Sequence, residues 1–157
     1  MPGLAGKPVR VHVARGLRDR LGAVHAGSFL RERRIALDCT RAEFPRIFVH
    51  EVAHFIWLRL GNAARFRYED LVRAEIAARA RGELGWSAEW RKQGLCLKDG
   101  TGRTRRWREY CCESFCDTAA WVYSGVERHE EFTLGARWRR GRRAWFAEFL
   151  EQRTLSI

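Results

Sequence analysis

The sequence predicts an α+β fold: a small N-terminal β-sheet over residues 1–40, packed on the first of several helices that fill residues 41–157, all in one domain. Three observations lead there. A chain of 157 residues with 46% hydrophobic content, seven Trp and nine Phe has the size and the large side chains of one core. Short runs before Thr40 alternate apolar with polar residues, the period of a strand. Beyond Thr40 the chain turns to helix formers punctuated by single glycines.

Val9 to Ala14 alternates and is rich in β-branched residues, as in a half-buried strand with His12 on its polar face. From Gly27 to Asp38 two apolar runs flank the charged tetrapeptide Arg31 to Arg34, which reads as a tight hairpin with strands over 27–31 and 33–38. Thr40 and Glu43 have the spacing of a capping box and Pro45 suits a first turn, so a helix opens at 41–45. Gly61 and Asn62 close it, the glycine taking the left-handed backbone that follows a helix end. A second helix is expected over 69–81 with Gly82 as its stop, then a short one from Ser87 to Gln93, then a turn at Asp99 to Gly102. A long helix runs from Arg105 to Ser124 and ends at Gly125. The last, from Gly135 to Gln152, sets Trp138, Trp145, Phe146, Phe149 and Leu150 on one stripe. Arg137, Arg139, Arg140, Arg142 and Arg143 fall mostly outside it.

No segment reaches the run of about 18 apolar residues that a bilayer span needs, so no membrane partner and a cytoplasmic location are expected. Five cysteines are an odd number, and adjacent Cys111 and Cys112 suit reduced thiols better than a disulfide framework. A net charge of +11 raises nucleic acid as a partner. Of thirty basic residues only Lys7, Lys92 and Lys98 are lysine, however, an arginine bias that the base composition of a gene produces by itself. Nucleic acid is therefore not the favoured partner.

The chemistry is concentrated in His50-Glu51-Val52-Ala53-His54. Two histidines four apart stand one turn above each other on the same helix face, so both imidazoles reach one ion. Glu51 projects beside them, where its carboxylate can take a proton from water; zinc lowers the pKa of a water it holds towards about 7. The flanking residues are almost wholly apolar, and burying two histidines and a glutamate without a partner costs several kcal/mol.

A catalytic zinc ion has three protein ligands and one open position. His12, His25 and His129 are weighed for the third and set below Glu113, which lies one helical turn from Asp117 in an otherwise apolar helix. Glu113 then binds the ion, and Asp117 accepts the free ring N–H of His50 or His54 and fixes its tautomer. A rival structural zinc site from Cys96, Cys111, Cys112 and Cys116 has no Cys-x-x-Cys pair, and Cys112 and Cys116 have the spacing of ordinary small core residues.

The order of a hairpin, a helix with His-Glu-x-x-His and a downstream helix with a glutamate resembles the gluzincin branch of the zincins. Ser28 to Leu37, Arg46 to His54 and Glu113 to Ala120 are similar to the ImmA/IrrE-like metallopeptidases. That resemblance implies a zincin-like fold, a Zn2+ cofactor, and hydrolysis of a protein or peptide, often in a regulatory role. The interval from His54 to Glu113 is longer than in that pattern, through an Arg- and Trp-rich insertion at 65–108, and Ala119 replaces a Phe.

Hydrolysis also needs a donor for the developing oxyanion. Tyr110 and His129 are the leading candidates, ahead of Tyr68 and Tyr123. The resemblance further implies that the strand before the active-site helix pairs with an extended substrate; an exposed edge within Ser28 to Leu37 would do so, its arginines favouring acidic peptides. The expected function is a zinc-dependent peptidase. Its rivals are a nucleic-acid-associated regulator and an inactive peptide-binding scaffold, each with a structural metal site.

Overall fold

The computed structural model describes residues 1–18, 22–151 and 153–157. Its elements in chain order are β1 (Leu4–Ala5), β2 (Arg10–Val13), β3 (Ala26–Phe29), β4 (Arg34–Leu37), α1 (Phe44–Arg59), α2 (Asn62–Ala77), α3 (Trp86–Gln93), α4 (Leu97–Gly102), α5 (Arg105–Tyr123), α6 (Ala136–Phe149) and β5 (Leu155–Ser156). The α+β class therefore holds, with a small sheet and mostly helical content. Among the described residues no helix is long and apolar enough to cross a membrane.

The expected hairpin forms, with β3 antiparallel to β4 in the register Ser28 to Ile35. Its turn is longer than the charge pattern indicated, spanning 30–33, with Arg33 in the left-handed region. β2 adds to the other side of β4 in parallel, so the order is β2-β4-β3. Ile35, Ala36 and Leu37 of the central strand are all buried, while all four residues of β2 are exposed. The half-buried reading of 9–14 is thus corrected. α1 packs on β3 and β4, and β2 lies at the far edge of the sheet. The two-residue pair β1 and β5 joins the chain ends, too short to leave a periodic signal.

Several helix boundaries move for local reasons. Thr40 Oγ1 accepts the Glu43 N–H at 3.3 Å, but the Glu43 carboxylate goes to Arg46 and His129, so the capping box is half made. Gly61 is extended (φ −61, ψ 154) and leads straight into α2, so it is not the left-handed stop expected. α2 begins well before residue 69 and ends at Ala77, with left-handed Arg79 just beyond it. Gly82 does adopt a left-handed φ, yet its task is to lie against the Thr133 carbonyl, where a Cβ would collide. The 99–102 turn belongs instead to α4, whose start Asp99 closes by accepting the Cys96 N–H at 2.8 Å. α5 begins where expected, with Thr104 Oγ1 accepting the Trp107 N–H. α6 is also found, though its expected last residue, Gln152, lies outside the described residues.

The core lies between α1 and α5, which make the closest helix pair, and extends to α2 and α6. Its centre is an aromatic cluster in which Tyr68, Phe115, Trp145 and Phe146 meet at ring separations of 5.0–6.3 Å. Burying each such side chain contributes about 1.5–3 kcal/mol. Arg142 corrects the reading of α6: its side chain is 0% exposed, between Glu75 and Glu83.

Candidate metal centre

α1 presents His50 and His54 one turn apart, and α5 presents Cys112, Glu113, Cys116 and Asp117 against them. His50 meets Asp117 while His54 meets Cys112, so the two helices run in opposite directions and their facing turns interlock residue by residue. This antiparallel offset selects the partners.

His50 Nδ1 lies 2.8 Å from Asp117 Oδ1. Asp117 is itself held, because its Oδ2 accepts the Ala88 N–H at 3.0 Å and Gly85 passes so close that any Cβ there would overlap the carboxyl. A carboxylate fixed in this way takes the Nδ1–H of His50 and leaves Nε2 for a ligand. Cys112 Sγ stands 3.5 Å from His54 Nδ1 and holds the second ring in the same sense.

Both Nε2 atoms turn towards Glu113, whose Oε2 is 3.3 Å from that of His50 and 3.9 Å from that of His54. Two donors of a tetrahedral zinc ion, each roughly 2 Å from the metal, stand about 3.3 Å apart, which the separations of Glu113 from the two rings approach. The group whose ligand atoms all lie within 4.8 Å of one another is His50, His54 and Cys116. The donor chemistry fits as well, with imidazole and carboxylate both ordinary zinc ligands. The side chains of His50, His54 and Glu113 are 13%, 17% and 15% exposed, so the cluster lies near the surface rather than deep in the core.

Electrostatics reinforce the cluster. Burial works against a charged His50, but the Asp117 and Glu113 carboxylates outweigh it and hold the pKa well above the usual value. His54 follows, burial being outweighed by Cys112 and Glu113. Burial alone would raise Glu113, yet both histidines and Arg91 bring it down to about 2.

Glu51 is buried beside His50, and its Oε2 lies 2.6 Å from Ser28 Oγ on β3. The single hydroxyl proton is shared with the Glu51 carbonyl at 2.8 Å. The sheet edge and the carboxylate are thereby tied together.

Two expected participants lie elsewhere. The Tyr110 hydroxyl is fully buried and donates to Glu83 at 2.7 Å, so it is committed to a carboxylate and withdrawn from any substrate. His129 accepts the Glu131 N–H on Nδ1 and contacts Glu43 through Nε2, at the start of α1. Among the described residues, no hydrogen bond or ion pair joins either of them to His50, Glu51, His54 or Glu113. Tyr68 bonds to Ser114 and Thr118 in the core, and the Tyr123 hydroxyl is buried without a hydrogen-bond partner. His12 lies on exposed β2.

The structure adds Arg91, which motif reading passed over, and brings Cys116, read as part of a rival cysteine site, to the histidines. Arg91 Nη2 is 3.3 Å from Glu113 Oε1, a contact from α3 for which no local spacing gives a signal. Cys116 offers a ligand atom that lies within 4.8 Å of ligand atoms of His50 and His54. Its position three residues after Glu113 and four after Cys112 is the signal that was available. Comparison with protein-family models, curated proteins and solved structures yields no match to this chain.

Proposed function

We propose that this protein is a zinc-dependent peptidase of gluzincin type, in which His50, His54 and Glu113 hold the ion. The observation that carries the reading is the approach of two Nε2 atoms on α1 to one carboxylate oxygen on α5. The far nitrogen of His50 is already held by a positioned carboxylate. Zinc, when bound, supplies Lewis acidity and favours ionisation of water near neutral pH.

The chain's own residues do the rest. Asp117 keeps His50 in the tautomer whose Nε2 is free to bind. Glu51 takes the proton of the attacking water as its oxygen adds to the peptide carbonyl carbon, then passes that proton to the departing amine as the C–N bond breaks. Ser28 holds Glu51 against β3. β3 is the terminal strand of its sheet, and its outer edge is suited to an extended peptide added as a further strand. The substrate class is therefore a protein or peptide.

Metal content and cleavage of an unstructured protein should be measured for wild type, Glu51→Gln and Glu113→Ala. Glu51→Gln should keep its zinc and lose about 10²–10⁴-fold in activity. Glu113→Ala should lose zinc affinity. Cleavage by Glu51→Gln at the wild-type rate would refute the mechanism.

A further inference from the structure

We propose that Cys116 is a fourth protein donor to the ion held by His50, His54 and Glu113, so that the resting site is closed by a thiolate. The inference rests on the metal-site reading above and extends it to regulation. Its basis is geometric. Cys116 is fully buried on the face of α5 that meets α1, and its sulfur lies within 4.8 Å of a ligand atom of His50 and of one of His54, the two residues whose rings also face Glu113. A zinc ion with Zn–N near 2.0–2.1 Å and Zn–S near 2.3 Å needs donors about 3.3–3.6 Å apart, so bringing the sulfur to the two imidazoles asks for movement of roughly an ångström, with Glu113 completing the set from its place against both rings. Cys112 is differently placed, against Nδ1 of His54, the nitrogen opposite the one that faces Glu113.

On binding, the Cys116 thiol gives its proton to solvent and its sulfur enters as thiolate. Two imidazoles, one carboxylate and one thiolate fill a tetrahedral ion, which is the pattern of structural sites; catalytic sites keep one position open. A sulfur donor also biases the site towards soft ions and against magnesium or calcium. Activity then requires one donor to leave. Glu113 has a second partner ready in Arg91, and Cys116 has one in Cys112. The closed state is a latent peptidase.

Cobalt(II) titrated into the chelator-stripped full chain tests this directly, because a thiolate ligand produces an intense sulfur-to-cobalt charge-transfer band in the near ultraviolet. The wild-type protein should show the band at one equivalent, Cys112→Ala should retain it, and Cys116→Ala should lose it while keeping the visible d–d bands of a tetrahedral site. Cys116→Ala should also cleave substrate faster than wild type. A wild-type protein that binds one cobalt without the band overturns the thiolate and leaves the histidine–glutamate site standing. Persistence of the band in Cys116→Ala overturns it as well. Failure of the wild type to bind any cobalt ends both proposals. The wild-type spectrum alone decides the matter if Cys116→Ala does not fold.

Discussion

α5 carries two buried polar clusters on different faces, and they differ in whether their accounts are closed. Towards α2 and α6, Arg142 donates to Glu75 at 2.7 Å, to Glu83 at 2.7 Å and to Thr118 at 3.3 Å. Glu83 also accepts from Tyr110 and meets Lys92 at 3.1 Å. Two cations balance two carboxylates, and Arg142 and Glu83 are 0% exposed. Towards α1, by contrast, His50 and His54 meet Asp117 and Cys112 at Nδ1, Glu113 meets Arg91 at Oε1, and both Nε2 atoms face Glu113 Oε2. The first network is closed by residues of the chain alone; the second is where the proposed ion would take the place of the contacts between rings and carboxylate. Sign and burial look alike in the two, and only the fate of each lone pair separates them.

The largest effect should come from the closed cluster. Arg142→Ala leaves Glu75 and Glu83 buried without their shared cation and should cost about 3–5 kcal/mol of stability in chemical denaturation. A loss under about 1 kcal/mol would mean that the network is not structural. Next, Tyr110→Phe removes one hydrogen bond to a charged acceptor, about 1.5–3 kcal/mol, while zinc affinity and turnover stay at wild-type levels. A selective drop in kcat with unchanged stability would return Tyr110 to the active site.

In the convergent cluster the ranking reverses, with little effect on folding and much on the ligand. Asp117→Asn should weaken zinc by about 10–100-fold, read by competition with a chromophoric chelator, because the ring of His50 loses its anionic anchor. Equal zinc affinity in both proteins would exclude that role.

The smallest effect is a pH dependence. Burial alone would raise the Glu83 pKa, but Arg142 and Lys92 hold it below its ordinary value of 4.5. Since the folded pKa is the lower, its stabilisation is present above pH 4.5 and fades as pH falls through the folded value. In chelator, wild type should therefore lose stability on acidification more steeply than Glu83→Gln. Parallel curves would show that the carboxylate titrates alike in folded and unfolded chains.

Much of this molecule was legible because it is written locally. The i, i+4 spacing of His50 and His54 places two imidazoles on one face whatever else the chain does, and Thr104 caps α5 three residues from Trp107. The hairpin follows from two apolar runs around a charged turn. The placing of Arg142 with the arginines outside the apolar stripe gave no sign of its burial; only the approach of Glu75 from α2 and Glu83 from the following loop supplies the charges that make it possible. Tyr110 failed for the same reason, since its partner Glu83 is distant in sequence.

The sequence by itself determined the α+β class and the pair of histidines with their adjacent carboxylate, because helical and strand periods act over a few residues. The tertiary structure alone decided that His50 takes Asp117, that His54 takes Cys112, that Glu51 is tied to Ser28, and that Cys116 faces the histidines. Those choices depend on the axial offset and rotation of α5 against α1. Packing sets that offset through the side chains of the core between α1 and α5, and no pattern within either helix encodes it.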